Sequence, residues 1–166
     1  MAKTSTSKKG QGKTPFRKSV NIRNKRATYD YEVLERLTAG IVLTGNEIKS
    51  IRMGRASLGQ SFCYVDRGEV WVKNMYVGTY AFGSWTQEGS RRDRKLLLNK
   101  REIRHLTEAQ HDPGFTIVPL RLFINGKGLA KLEIAIAKGK KEYDKRNAIR
   151  DREMKRELDR ARRTPY

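Results

Sequence analysis

Short apolar runs of alternating character, glycine-containing turns between them and two helix-start signals predict a mainly β chain of 166 residues. They suit a small closed barrel with Greek-key connections, OB-like, with two or three short helices plugging it and basic extensions at both ends. Closure lets a single-layer sheet this small bury its apolar face without leaving strand edges free. A sandwich is the alternative.

Residues 1–23, opening "MAKTSTSKKGQGKTPFRKSV", offer almost nothing to bury and read as a disordered basic arm. Order is expected from Asn24. Tyr29, Tyr31 and Val33 alternate with polar neighbours in "TYDYEVLERL", the period of a half-buried strand, and "GIVL" follows as a short second one. Thr44 and Glu47 are spaced as a capping box, Leu43 and Ile48 as its hydrophobic staple, and Gly54 as the stop of a first helix. "SFCYV", Asp66-Arg67-Gly68 and "EVWVK" form a hairpin. A second helix starts at Asn99 with Glu102 as box partner and Leu98 with Ile103 as staple, and Ile103, Leu106 and Gln110 share a face. "FTIVPLRLFI", Asn125-Gly126-Lys127-Gly128 and "LAKLEIAIA" form the second hairpin. Ala130, Leu132, Ile134 and Ile136 line one face of its return strand, and Pro119 marks a bulge or edge in the outgoing one. The barrel is thus bounded at 24–137, with 138–166 as a basic tail.

The net charge is +19, from 37 Lys and Arg against 18 Asp and Glu. It is concentrated at the ends: residues 1–26 hold nine basic residues and no acidic one, and residues 138–166 hold twelve against six. Such ends favour a polyanion, because each cation that meets a phosphate releases condensed counterions. A membrane surface is the competing partner, but neither end supplies a helix with Trp, Phe or Leu opposite its basic face. No signal peptide and no membrane-spanning run is present, so a monomeric cytoplasmic protein is expected. Cys63 stands alone, which excludes an intramolecular disulfide and a cysteine-based zinc site.

Catalytic signals are missing. His105 and His111 are the only histidines, six apart, with no carboxylate pair around them. No phosphate-cradling glycine loop, metal-ligand cluster or nucleophile elbow occurs, so neither an enzyme nor a cofactor is expected. Binding signals are stronger. Lys49, Arg52 and Arg55 recur every three residues, Arg91, Arg92, Arg94 and Lys95 cluster before the second helix, and Asn24, Lys25 and Arg26 precede the first strand. With the aromatics Tyr80, Phe82 and Trp85 as stacking platforms, they suit RNA.

Three stretches carry a closer likeness: "NKRATYDYEVLERLTAGIVLTGNEIKSIRMGRASL", "RRDRKLLLNKREIRHL" and "AKGKKEYDKRNAIRDRE". Together they resemble the small protein B family, the tmRNA-binding proteins of bacterial trans-translation. The resemblance implies an OB-like barrel on the tRNA-like part of tmRNA, and entry into stalled ribosomes alongside elongation factor Tu with aminoacylated tmRNA. It also implies a tail that becomes helical against small-subunit ribosomal RNA in the vacant decoding centre and mRNA channel. Carried over, it places Asn24, Lys25, Arg26, Glu47, Lys95, Leu97 and Asn99 at the RNA, together with Lys49, Arg52, Arg94, Lys138, Lys140 and Lys141. Glu47 is open to two roles, RNA contact and completion of its capping box. Gly139 and Asp144 fall in the hinge to the tail. There the cations Lys145, Arg146, Arg150, Arg152, Lys155, Arg156 and Arg160 and the apolar Ile149, Met154 and Leu158 are expected to meet the ribosome. Asp151 with Lys155 and Asp159 with Arg163 are acid-first pairs four apart, each contributing only about 0.2–0.5 kcal/mol to a helix. The tail is therefore expected to fold on docking rather than before it. A structural ribosomal protein or a general RNA-binding protein is the alternative, and an RNA-modifying enzyme is disfavoured.

Overall fold

The structure, a computed structural model, describes residues 20–80 and 89–163. The arm through residue 19, and with it most of the stretch expected to be disordered, lies outside them, as do Phe82 and Trp85. In chain order the elements are β1 (Asn21–Arg23), α1 (Lys25–Asp30), β2 (Tyr31–Ile41), α2 (Gly45–Arg52), β3 (Ala56–Ser57) and β4 (Phe62–Asp66). After them come β5 (Glu69–Lys73), β6 (Tyr76–Val77), β7 (Arg94–Leu97), α3 (Lys100–His111), β8 (Phe115–Ile124), β9 (Ala130–Gly139) and α4 (Glu142–Arg163).

Six strands pair antiparallel in the order β8-β4-β5-β7-β2-β9, and β9 pairs back onto β8. The ladder therefore closes into a ring, as the mainly β, OB-like reading requires. Because β9 occupies one edge of β8, the other edge is shared: β4 meets it at Ile117 and β1 at Arg121–Phe123. Ordered chain thus begins before Asn24, with β1 held in the sheet. β3 and β6 form a small separate ladder.

Two bulges sort the apolar side chains between two cores. The register of β2 slips between Val33 and Glu35, and that of β8 between Pro119 and Arg121. A bulge moves the following side chains to the other face. Leu37, Ala39 and Ile41 consequently enter the ring, while Tyr31 and Val33 point outward. Likewise Ile117 and Leu122 line the interior, with Val118 and Leu120 outside. The interior also receives Val70, Val72, Leu96, Leu132, Ile134 and Ile136, and is plugged by Ile51 of α2 and Leu106 of α3. The outer cluster is Ala27, Val118, Leu120, Ala135 and Ala137, small enough for α1 to lie against the sheet.

That outer helix corrects the sequence reading. The alternation of Tyr29 with Tyr31 suggested one strand, yet Lys25–Asp30 is helical and β2 begins only at Tyr31. Asn24 caps the helix: its Oδ1 accepts from Ala27 N–H at 3.2 Å. "GIVL" is not a strand of its own: Gly40 and Ile41 end β2, and Val42 and Leu43 follow it.

The local signals elsewhere are realised. Arg67 (φ 49°) and Gly68 (φ 76°) make the two-residue turn between β4 and β5, where both central residues need positive φ. The Glu47 side chain accepts from Thr44 N–H at 2.9 Å and the Glu102 side chain from Asn99 N–H at 2.8 Å, completing the two capping boxes. α2 stops at Gly54 (φ 77°), with Gly54 N–H to Ile51 O at 2.8 Å and Arg55 N–H to Ser50 O at 3.0 Å, a Schellman turn. Arg55 therefore lies beyond the helix face it was expected to share with Lys49 and Arg52. The Gln110 amide brackets Val65, accepting from its N–H at 2.6 Å and donating to its carbonyl at 3.3 Å, and fastens α3 to β4. His105 Nε2 lies 2.7 Å from the Glu35 carboxylate, a link between α3 and β2.

Candidate nucleic-acid interface

The strongest electrostatic feature is at the start of α2. Capping geometry puts Glu47 in the first turn, where it is buried against β7. Its Oε1 accepts from Arg92 Nε at 2.9 Å and Arg94 Nε at 2.8 Å, and its Oε2 from Arg92 Nη2 at 2.6 Å and the Thr44 N–H at 2.9 Å. Arg94, wholly buried, also donates to the carbonyls of Met75 at 2.7 Å, Arg92 at 3.0 Å and Ser90 at 3.4 Å. Arg94 was expected to meet RNA. Its guanidinium instead faces inward, where an unpaired cation could not remain.

Burial pushes the Glu47 carboxyl up, but hydrogen bonds from Arg92 and the Thr44 N–H and the charge of Arg94 outweigh it, so its pKa falls below the ordinary 4.5. The depressed value sets a pH dependence. Its contribution to stability is full above 4.5 and is lost as pH falls through the lower folded value. Urea unfolding followed over this acid range should show that loss in the wild type, and Glu47→Gln should abolish this part of it. An unchanged acid limb in the variant would mean that Glu47 is not coupled to folding.

Around this network the exposed groups are cationic, aromatic and apolar. Lys49 Nζ sits 5.2 Å from the Tyr80 ring, and the Arg91 guanidinium 5.9 Å from the ring of Tyr76. Arg52 donates to Gly128 O at 3.3 Å, tying α2 to the β8–β9 turn. On β7, Lys95 pairs with Glu69, and Leu97 is 54% exposed opposite Gly40. An apolar side chain displayed from a strand beside a lysine is suited to packing on a base or ribose. Asn99 is exposed at the start of α3.

A second set gathers at α1, on the outer face of the sheet. Asn24 is buried, and its Nδ2 donates to Leu58 O and Pro119 O at 3.0 Å each, so its side chain serves the fold. Lys25 is exposed, and Arg26 is exposed while pairing with Asp30 at 3.2 Å. Lys140 donates to Thr28 O at 3.2 Å, and Lys138 and Lys141 are exposed. Sequence reasoning missed a groove of about 490 Å³ here, bordered by Arg23, Lys25, Arg36 and Arg121. The buried Glu133 holds both Arg36, at 3.5 Å, and Arg121. No local signal announces it, because Arg23, Arg121 and Glu133 become neighbours only through strand register.

The tail is one helix, α4, through Arg163. Arg146, Arg150, Arg152, Lys155, Arg156 and Arg160 are exposed along it, as are Ile149, Met154 and Leu158. Asp144 and Lys145 stand in its first turn. Among the described residues no His, Cys, Asp or Glu cluster could hold a metal, and no helix is long and apolar enough to cross a membrane. Cys63 is buried inside the ring and its thiol is pushed up by that burial, away from the reactive thiolate.

A family model described as SmpB protein matches residues 21–164. The chain belongs to the SmpB family. It is 62% identical over 143 residues to a Parabacteroides distasonis protein named SsrA-binding protein, spanning 86% of this chain and 94% of that one. A Thermobifida fusca protein of the same name is 46% identical over 161 residues, 97% of each chain. Among solved structures, a chain described under "tmRNA-SmpB: a journey to the center of the bacterial ribosome" superposes with a TM-score of 0.63 at 40% identity, covering 78% of this chain and 94% of that one. The family match takes in α1, the Glu47 network, β7 and α4 alike.

Proposed function

We propose that this chain is a non-enzymatic tmRNA-binding adaptor of trans-translation. What carries the reading is the 40% identity, along 94% of its length, to a chain of a structure described as tmRNA–SmpB. The relatives named SsrA-binding protein support it. So does a β7 surface on which Leu97 stands exposed beside Lys95, with the cation–aromatic pairs of Lys49 and Arg91 nearby. The ring binds the tRNA-like domain of tmRNA through this surface and through Lys25, Arg26 and Lys140. The complex enters stalled ribosomes as a monomeric protein alongside elongation factor Tu, and its place is the cytoplasm.

The tail carries the ribosomal half of the task. Every side chain described in α4 is exposed, so none of those is buried against the body. Isolated helices of such length are marginal in water. It folds against small-subunit ribosomal RNA in an empty mRNA channel, where its cations meet phosphates and Ile149, Met154 and Leu158 find groove contacts. A translating ribosome, its channel filled, excludes it sterically.

The test is recovery of RNA with the affinity-tagged full-length chain from bacterial cells, followed by sequencing. tmRNA is the expected dominant species. A ribosomal RNA inventory without tmRNA would replace this reading with that of a structural ribosomal protein.

A further inference from the structure

A carboxylate on an RNA-facing surface is electrostatically out of place, and at Glu47 the geometry accounts for it. A carboxylate offers about four lone-pair sites. At Glu47 four donors already fill them, two from Arg92, one from Arg94 and one from the Thr44 N–H. No acceptor capacity is left for a base edge or a ribose hydroxyl.

The two arginines lead elsewhere. Arg94 clamps Met75 O on one side of the segment that follows β6, and Arg92 O and Ser90 O on the other. Val77 N–H to Ser90 O, at 2.9 Å, closes the same stem, and Gly78 N–H to Arg55 O, at 2.8 Å, joins it to the end of α2. Tyr76 and Tyr80 on the entering limb and Arg91 on the leaving limb carry the cation–aromatic pairs described above. A single buried acid therefore sets the position of a loop stem that presents stacking and cationic groups to solvent.

We propose that Glu47 is a positioning residue for RNA binding: through Arg92 and Arg94 it locks the segments 75–80 and 89–92 to α2, and it makes no contact with the RNA. This rests on the reading of the chain as a tmRNA binder and supplies the role of one of its residues. It also has a sign that charge alone does not share. Glu47→Gln removes a negative charge and releases Arg92, so electrostatics by itself predicts tighter binding to a polyanion. Loss of position predicts weaker binding.

The test pairs two measurements on the full chain: affinity for transcribed tmRNA, and amide exchange of the free protein. In Glu47→Gln the affinity should fall by about tenfold, the scale of a lost charge-assisted pair, and the amides of Val77 and Gly78 should exchange faster with no RNA present. A fall in affinity with wild-type exchange would show direct contact and overturn the proposal, as would unchanged or tighter binding. Should that variant fail to fold, Arg92→Lys keeps the charge on a partly exposed side chain but loses the two-pronged grip on Glu47. It should move both readouts the same way, and wild-type values in both would also overturn the lock. A wild-type chain that fails to bind tmRNA would sink the functional reading instead, while the exchange measurement still tests the lock.

Discussion

Deleting residues 145–166 should leave the affinity for tmRNA within about threefold of the full chain, roughly 0.7 kcal/mol, and reduce peptide tagging on stalled ribosomes to background. The two effects separate because the two surfaces do. The candidate RNA groups of the body (Lys25, Lys49, Lys95 and Leu97) are set by α1, α2 and β7, and these pack on the closed ring. α4 adds no buried side chain to that ring at any described position. Among the described residues its removal costs the body no core. Binding should be measured at near-physiological salt, since the nine cations of 145–166 strengthen any RNA association when salt is low. A large loss of affinity under those conditions would make the tail part of the tmRNA site. Tagging that survives the deletion would remove the tail from ribosomal function.

Asn24→Ala should destabilise the fold by about 3 kcal/mol. Loss of a helix cap costs roughly 1 kcal/mol, and each buried carbonyl left without its donor about 1–3 kcal/mol. The Asn24 side chain supplies all of these at once: the cap of α1, and donated bonds to Leu58 O and Pro119 O from a site only 5% exposed. Leu58 O also accepts from Ser61, so the heavier loss falls on Pro119 O at the bulge of β8. For a chain this size the change corresponds to a fall of roughly 6–12 °C in Tm. Asn24→Asp keeps the cap yet turns both donors into acceptors facing carbonyl oxygens, and should be no milder. At a temperature where the variant remains folded, its tmRNA affinity should stay near wild type. A stable variant that binds tmRNA poorly would return Asn24 to the interface.

Both hairpins, both capping boxes, the Gly54 stop and the irregularity at Pro119 were legible because each depends on residues within a few positions of one another. The acid-first pairs of the tail were legible locally and α4 spans them, although the sequence reading expected that helix to form only on docking. Lys25–Asp30 misled because Ala27 becomes a packing surface only against Ala135 and Ala137, more than a hundred residues on, while Tyr29 and Tyr31 mimic a strand in isolation. Glu47 was visible as a cap and Arg94 as a charge. Their union needed β7 to lie beside α2, and it turned an expected phosphate contact into an internal clamp.

By itself the sequence determined the local turns, the helix starts, the concentration of cations at the ends and, through its motifs, the family. Tertiary structure alone decided which charges reach solvent. Arg94 was turned inward and Leu97 outward within one four-residue strand, because successive side chains of a strand point to opposite faces and only the closed ring says which face is inside.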